Sequence, residues 1–441
     1  MPKAAFTTLG CKVNQYETQR ILESFEEAGF QVVPFSESAD VYVINSCSVT
    51  SSAESKSRYT IRKATRNNPS AKVVVTGCAA QMSLNKAEAI EGADVVVPNP
   101  EKLRALDYLY RAFPEMANWV AAEPHAAPPV LVGRTRATLK VQDGCSVMCS
   151  YCSIPYTRPG LVSRPATDVL DEASRMADLG YRELILTGVL IGAYGPDSGS
   201  GGPDFETLVE QLARVEGIER IRISSIEMRQ VTPRLIELIQ SGLVVPHLHI
   251  PLQSGSSQVL RDMNRPYTKE DYLALCDRLY ADIEPMSITA DIMVGFPTEG
   301  PAEFADSLDV ARRARYLKSH VFRFSPRHGT PADQWGDPVP DAEKQVRSLA
   351  LAEVGRETAA AHRKRFLGQI HRVIVEGKTT SEGLLEGLTD NYLEVRFAGS
   401  PSLKRQVVWV RLDEDRDGYL LGEIETSGPR FEPRTRLLPV R

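Results

Sequence analysis

Twice along this chain, short apolar runs alternate with stretches of helical periodicity, a pattern that predicts a parallel sheet with helical crossovers. In residues 1–118 the runs Lys3–Thr8, Val41–Asn45, Lys72–Thr76 and Asp94–Val97 predict strands. Glu17–Ala28 and Ser55–Arg66 predict helices between them. The expected unit is a doubly wound α/β sheet. Cys11, Cys47 and Cys78 follow the first three strands in turn. Ligands of open α/β sheets bind beyond the carboxyl ends of the strands, so three cysteines distant in sequence are expected to meet in one crevice. Three separately buried thiols are the alternative, because free cysteine packs readily into cores.

The alternation resumes with a longer period over residues 131–366, after an Ala- and Pro-rich stretch, Glu115–Pro129, that reads as a linker. Strands are expected at Thr138–Gln142, Glu183–Thr187, Arg220–Ser225, His247–Leu252, Ser287–Val294 and His320–Ser325. Helices are expected at Asp168–Leu179, Phe205–Val215, Pro233–Ser241, Lys269–Ala281 and Glu303–Tyr316. Six βα units predict a partial (βα)6 barrel with its chemistry at the C-terminal ends of the strands. A long helix, Ala342–Phe366, leads out. Residues 367–432 change character. Five short runs separated by turn residues (His371–Val375, Leu384–Leu388, Leu393–Phe397, Gln406–Val410 and Tyr419–Ile424) predict a small all-β barrel.

What the cysteines do depends on the compartment. No uninterrupted apolar run approaches the ~20 residues of a membrane span, and the opening MPKAAFTTLGC lacks the regions of a signal peptide. A cytoplasmic protein without membrane attachment is expected, and there cysteines bind metal or do chemistry more often than they form disulfides. The most specific feature is Cys145-x-x-x-Cys149-x-x-Cys152, directly after the first strand of the second unit and Gly144. A [4Fe–4S] cluster normally takes four thiolates, so three leave one iron open to a small molecule. A closed zinc site is the alternative, but it needs four ligands, and the nearest downstream histidines are His247 and His249.

With Tyr151 before its last cysteine, the triplet matches the signature of the radical S-adenosylmethionine (SAM) enzymes. The resemblance implies a cluster whose open iron chelates SAM, and reductive cleavage of SAM to a 5′-deoxyadenosyl radical. Candidate SAM contacts are then Tyr151 and the strand-end residues Thr187, Gly188, Ser225, Glu227, Gln253 and Asp291. Gly188 and Gly255 would allow close backbone approach to a ligand.

The wording narrows the resemblance. TLGCKVNQYET (Thr8–Thr18), NSCSVT (Asn45–Thr50), TGCAAQ (Thr76–Gln81), QDGCSVMCSYCSIPYTR (Gln142–Arg158), PHLHIPLQSGS (Pro246–Ser256) and GFPTE (Gly295–Glu299) resemble the methylthiotransferases. The resemblance implies an N-terminal α/β domain, a radical SAM barrel and a C-terminal TRAM barrel. It also implies two [4Fe–4S] clusters: an auxiliary one on Cys11, Cys47 and Cys78, and the radical SAM cluster on Cys145, Cys149 and Cys152. The form around Cys11 is similar to the branch that methylthiolates C2 of N6-threonylcarbamoyladenosine 37 in tRNA. The other branches, acting on isopentenyladenosine 37 or on ribosomal protein S12, are the alternatives within the family. A non-catalytic RNA-binding protein with structural metal sites is the alternative outside it. An electron donor such as flavodoxin or ferredoxin is implied. Where relatives often carry Arg-Gly-Arg, this chain reads Arg158-Pro159-Gly160, followed by Val162-Ser163-Arg164, so Arg158 and Arg164 are candidates for either substrate contact or a surface role.

A net charge of −5 does not announce a nucleic-acid binder, so an RNA surface has to be local. Glu54–Lys72 carries six Lys or Arg against one Glu, and Lys56, Arg62, Lys63 and Arg66 are its RNA-binding candidates. A solvated helix face is the alternative. His362-Arg363-Lys364-Arg365 invites the same two readings. Residues 366–441, with 11 Lys and Arg against 12 Asp and Glu, are close to neutral. Cys276, spaced with Leu273 and Tyr280, is expected in a core, and Trp119, Trp335 and Trp409 are expected to pack.

Overall fold

The computed structural model describes residues 1–48, 50–119, 135–195, 202–426 and 428. The first sheet consists of β1 (Lys3–Thr8), β2 (Gln31–Val33), β3 (Val41–Ser46), β4 (Lys72–Gly77) and β5 (Val95–Val96). All pair in parallel, in the order β2-β1-β3-β4-β5. Strand alternation sends Ala4, Val41, Val43 and Val74 to a core on one face, and Ala5, Tyr42, Ile44, Val73 and Val75 to a core on the other. The crossovers include α1 (Lys12–Glu27), α2 (Ser51–Asn67) and α3 (Cys78–Asn85). The first helix starts five residues ahead of the expected Glu17. Its leading turns bury polar residues, Asn14, Glu17 and Thr18, which hide the apolar period there. The three-residue edge strand β2 is too short to leave a pattern in the sequence.

Of the expected linker, only residues up to 119 are described, and Pro114–Trp119 forms a 3₁₀ turn. The second unit opens with β6 (Ala137–Lys140), then β7 (Gln142–Asp143) and β8 (Val162–Ser163), which pair antiparallel around the triplet loop. The barrel continues with β9 (Glu183–Thr187), β10 (Arg220–Ile223), β11 (His247–His249), β12 (Ser287–Val294) and β13 (Lys318–Arg323). Two parallel ladders, β6-β9-β10 and β11-β12-β13, are joined where Ser225 bridges His249 and the Ile226 amide donates to the His249 carbonyl at 3.0 Å. The strands β10 and β11 stop short of the expected Ser225 and Leu252. Beyond them the pairing continues only as isolated bonds, such as Ile250 to the Thr289 carbonyl and Leu252 to the Asp291 carbonyl, and Pro251 between them has no amide to donate. Outward-facing Leu139, Leu184, Leu186, Ile221, Ile223, Leu248, Ile288 and Ala290 form the main core with the helices. Alternation turns Glu183, Arg222, His247, His249, Thr289 and Asp291 inward. Cys276 lies in the main core as expected.

The helix Asp341–Lys364 leads to β14 (Ile370–Thr379), β15 (Leu385–Thr389), β16 (Glu394–Phe397), β17 (Val407–Arg416) and β18 (Tyr419–Glu425). They close into a barrel in the order β14-β15-β16-β18-β17, filled by Val373, Val375, Leu385, Val395, Phe397, Val410, Leu412 and Leu420. This barrel caps the N-terminal end of the larger one. Arg220 donates to the Thr389 carbonyl at 3.0 Å, Arg222 donates to the Asp390 carbonyl at 3.2 Å, and Tyr392 stacks on His247 at 4.3 Å. The His362–Arg365 run belongs to the same joint: buried His362 bonds Ser287 at 2.8 Å, and Arg363 bonds Asp415 at 2.5 Å. Trp119 and Trp335 are nearly half exposed, against expectation, although Trp335 still meets Phe296 edge-to-face. No helix among the described residues is long and apolar enough to cross a membrane.

Candidate active site

The three N-terminal cysteines end adjacent strands of one sheet. Cys11 caps α1, Cys47 follows β3 and Cys78 opens α3. Two glycines make this possible. Gly10 and Gly77 both have φ +96°, a conformation that L side chains rarely adopt. A Cβ on Gly10 would stand 2.7 Å from Cys47 Sγ, and one on Gly77 would stand 2.3 Å from the Ser46 carbonyl oxygen. Side-chain bonds then tie the strand ends together. Asn14 donates to Leu9 and Ser46 carbonyls, Asn45 donates to the Asn14 carbonyl, and Ser46 donates to the Thr76 carbonyl. Ser57 of α2 exchanges hydrogen bonds with the Cys47 backbone at 3.3 Å. Asn99 donates to Cys78 Sγ at 3.9 Å. Burial and the neighbouring Cys78 push the Cys11 thiol up, while the Asn14 amide and Arg158 oppose them. No disulfide links any of the seven cysteines.

The triplet Cys145, Cys149 and Cys152 occupies the loop between β7 and β8 at the C-terminal mouth of the barrel. The Val147 amide points at Cys145 Sγ (3.4 Å), the Ile154 amide at Cys152 Sγ (3.4 Å), and Arg265 at Cys149 Sγ (3.5 Å). Such donors favour the thiolate over the thiol. Burial works against them, pushing Cys145 up and Cys152 up to about 12. Arg265 also clasps Glu227, donating to Oε1 at 3.0 Å and to Oε2, and bonds the Tyr267 hydroxyl, which reaches the Leu252 carbonyl at 3.1 Å. One buried guanidinium therefore joins the triplet loop to two strand ends. Sequence reasoning missed Arg265, since nothing near it marks it as functional.

The other expected SAM contacts are spread around this mouth. Tyr151 packs edge-to-face on Phe296, and Thr187 bonds Ser224 at 3.4 Å. Gln253 holds φ +66° while its backbone bonds Asp291 and Met293. Asp291 pairs with His249 at 3.3 Å. The two glycines lie close against the chain itself: a Cβ on Gly255 would meet the Ser307 backbone at 2.5 Å, which requires glycine there, and one on Gly188 would press on Gln142 at 3.1 Å. Gln142, fully buried, donates to the Gly144 carbonyl and accepts from the Val189 and Leu190 amides, fastening the triplet loop to the end of β9.

Arg158 is not a surface residue, and Arg164 is only partly exposed. Arg158 lies with its side chain only 3% exposed between the two cysteine sets, donating to Glu17 (2.9 and 2.7 Å), Asp143 (2.7 and 2.8 Å) and Asn14 (2.8 Å). Lys102 and Lys140 reach Glu17 at 2.6 Å each. Burial works to raise the Glu17 carboxyl, but Lys102, Arg158 and Lys140 override it and hold it well below its ordinary 4.5. Arg164 joins Tyr16 of α1 to Glu172. Asn99, which reaches Cys78, also donates to the Thr157 carbonyl at 2.8 Å. The N-terminal sheet is thus fastened to the segment that follows the triplet.

Residues 3–98 match the family model described as Uncharacterized protein family UPF0004, and residues 139–311 match the Radical SAM superfamily. Threonylcarbamoyladenosine tRNA methylthiotransferase MtaB of Bacillus subtilis (strain 168) is 39% identical over 425 residues, 93% of this chain and 94% of that one. The chain belongs to the radical SAM methylthiotransferase family. A tRNA-2-methylthio-N(6)-dimethylallyladenosine synthase of Carboxydothermus hydrogenoformans is 33% identical over 429 residues, 94% of this chain and 97% of that one. Among solved structures, the radical SAM methyltransferase TsrM of Kitasatospora setae, with tryptophan and a SAM analogue bound, superposes with a TM-score of 0.54. It is 15% identical and the match covers 76% of this chain and 75% of that one, a likeness of fold alone.

Membership of the radical SAM superfamily brings a [4Fe–4S] cluster and SAM to this methylthiotransferase, and the triplet loop fits the cluster. It offers three thiols, each already met by an N–H donor. The first sheet offers a second set of three thiols, two of them at helix N-termini, where the backbone dipole favours thiolate. Beside them, α2 carries the basic run. Arg58 pairs with Glu54 and Arg62 with Glu91, which trims the charge counted from sequence. Lys56, Lys63 and Arg66 form no ion pair among the described residues, and Arg66 lies 5.7 Å over the exposed Tyr59 ring.

The barrel interior of the methylthiotransferase is polar along its length. From the Tyr392 plug, His247 bonds Thr289 (3.1 Å), Thr289 bonds His249 (2.9 Å), and His249 meets Asp291. Arg222 lies 4.9 Å over Tyr392. Lys12, the residue after Cys11, reaches the same space at the β6 edge. Burial first, then Arg136 and Arg222, push its pKa down to about 8, and it adds to the charges that keep His247 neutral.

Proposed function

We propose that this chain methylthiolates C2 of N6-threonylcarbamoyladenosine 37 in tRNA, in the cytoplasm, with electrons from a carrier such as flavodoxin or ferredoxin. The observation that carries the reading is the end-to-end match to a threonylcarbamoyladenosine tRNA methylthiotransferase, with both cysteine sets at strand ends. Residues 1–118 serve as the auxiliary-cluster domain, 131–366 as the radical SAM domain and 367–432 as the TRAM domain. In this reading Cys145, Cys149 and Cys152 hold the radical SAM cluster, and Cys11, Cys47 and Cys78 hold an auxiliary [4Fe–4S] cluster. When bound, the clusters and SAM supply the one-electron chemistry that an inert aromatic C–H bond demands. The chain supplies position. Tyr151, Thr187, Gly188, Ser225, Glu227, Gln253 and Asp291 line the mouth where SAM binds. Arg265 holds Glu227 against the triplet loop. The Glu17–Arg158 joint keeps the two cysteine sets in register, and Lys56, Arg62, Lys63 and Arg66 meet RNA phosphates.

The test is mass spectrometry of tRNA nucleosides and of ribosomal protein S12 from cells lacking the gene. The 2-methylthio form of threonylcarbamoyladenosine disappears, its precursor accumulates, and S12 is unchanged. Loss of an S12 modification with normal tRNA overturns the substrate. Anaerobically reconstituted protein binds about eight irons, twice the content of one [4Fe–4S] centre. Zinc-loaded, iron-free protein from oxygen-free purification overturns the enzyme reading in favour of structural metal sites.

A further inference from the structure

The floor of the larger barrel is charged, and its charges do not all find partners. Arg136 pairs with Glu376 at 3.0 Å and with Glu183 at 3.9 Å. Arg220 pairs with Glu183 at 2.8 Å and with Asp390 at 3.1 Å, and Arg222 pairs with Glu183 at 2.7 Å. Lys12 is the fourth cation of this group. Among the described residues it alone of the four has no carboxylate within 4.0 Å of its ammonium. Glu183, already shared by three arginines, acts on Lys12 only from beyond that distance, so this partly buried cation is left to be matched by an anion that arrives with a ligand. A second observation points the same way. His247, 4% exposed and lying in the same floor, has a ring nitrogen, Nδ1, with no hydrogen-bond partner among the described residues.

We infer that Lys12 reads the carboxylate of the threonyl group on the substrate adenosine, with the cations Arg136 and Arg222 and the neutral ring of His247 behind it. The inference rests on the substrate reading above and deepens it. The threonylcarbamoyl group hangs from N6 of the same ring whose C2 reacts, so the group that reads it has to stand close to the cysteine sets. Lys12 follows Cys11 directly and extends from the first turn of α1 into the barrel. An isopentenyl group in this place would bury its methyl groups against unpaired charge and leave Lys12 without a partner, which disfavours that substrate.

The experiment uses two RNA stem-loops, one carrying N6-threonylcarbamoyladenosine at the loop position equivalent to 37 and one carrying its methyl ester, which removes the negative charge and adds a single methyl group. Binding is measured by fluorescence anisotropy, together with methylthiolation and iron content. A charge-assisted contact of this kind corresponds to a preference of roughly 10- to 100-fold for the acid over the ester. Wild-type protein shows that preference in Kd. Lys12→Gln binds the two RNAs equally, and Lys12→Arg keeps most of the preference, with iron content unchanged in both. Equal binding of acid and ester by a wild-type protein that methylthiolates the acid overturns the inference and leaves the substrate reading intact. Persistence of the preference in Lys12→Gln overturns it too. A wild-type protein that carries its iron but modifies neither RNA overturns the substrate reading and the inference with it.

Discussion

The joint between the N-terminal sheet and the barrel depends on one carboxylate, and Glu17→Gln removes its charge while keeping its shape. Lys102 and the Arg158 fork, all nearly fully buried, converge on Glu17 together with the partly buried Lys140. Without it, Arg158 and Lys140 keep only Asp143, whose side chain is 26% exposed, and Lys102 keeps no carboxylate within 4.0 Å among the described residues. Removing one partner of a buried ion pair costs about 3–5 kcal/mol. The surviving Asp143 contacts put the expected value at the lower end, about 3 kcal/mol, against a total stability on the order of 5–15 kcal/mol. Hydrogen exchange followed by mass spectrometry on the anaerobic, cluster-free protein reads this locally. Since each 1.4 kcal/mol is about tenfold, amides of α1 and of residues 143–158 exchange more than about a hundredfold faster in Glu17→Gln. Amides of β14–β18 do not change. The pH dependence has a definite sign. Because the folded carboxyl is held below 4.5, its contribution is whole above that pH and is lost as the pH falls through the folded value. The difference between wild type and variant is therefore constant from about pH 6 to 8 and closes in acid. An acceleration below about fivefold, the level of an exposed pair, refutes the argument.

Arg265→Met leaves Glu227 without its clasp beside Cys149, and release of 5′-deoxyadenosine from SAM is expected to slow by at least about tenfold with Fe content kept; an unchanged rate removes Arg265 from the SAM site. Cys276 is packed in the main core and its thiol is pushed up to about 12 by burial, so at pH 8 it stays protonated and resists iodoacetamide in the native protein; Cys276→Ala costs about 1 kcal/mol and no iron, and rapid native labelling contradicts this placement. Replacing Lys56, Lys63 and Arg66 with Gln lowers the slope of log Kd for tRNA against log salt by about two to three, while SAM cleavage is unaffected; an unchanged slope moves the RNA surface elsewhere.

The parts of this protein that were legible in the sequence are those set by local period and by chemistry that only a few residue types can do. Strand runs such as Glu183–Thr187 and Ser287–Val294 carry alternating or continuous apolar character and appear with the expected bounds. The cysteine sets were legible because thiols after a strand have few other uses in such a pattern. The helix onset at Lys12 was not, since Asn14 and Glu17 are polar yet buried, and only a neighbouring domain makes their burial favourable.

Tertiary structure alone decided the meaning of the charged residues. Arg158 reads as an exposed contact in sequence because an arginine carries no mark of its partner. Its carboxylate, Glu17, lies 141 residues away in the chain. The same holds for Arg265 and Glu227, and for the four cations of the barrel floor. The sequence by itself determined the fold class and the two sets of thiols, through periodicity and residue type. Which charges are neutralised and which stay unpaired depended on the packing of three units against one another, because Coulombic partners are set by distance in space and by the water that burial removes.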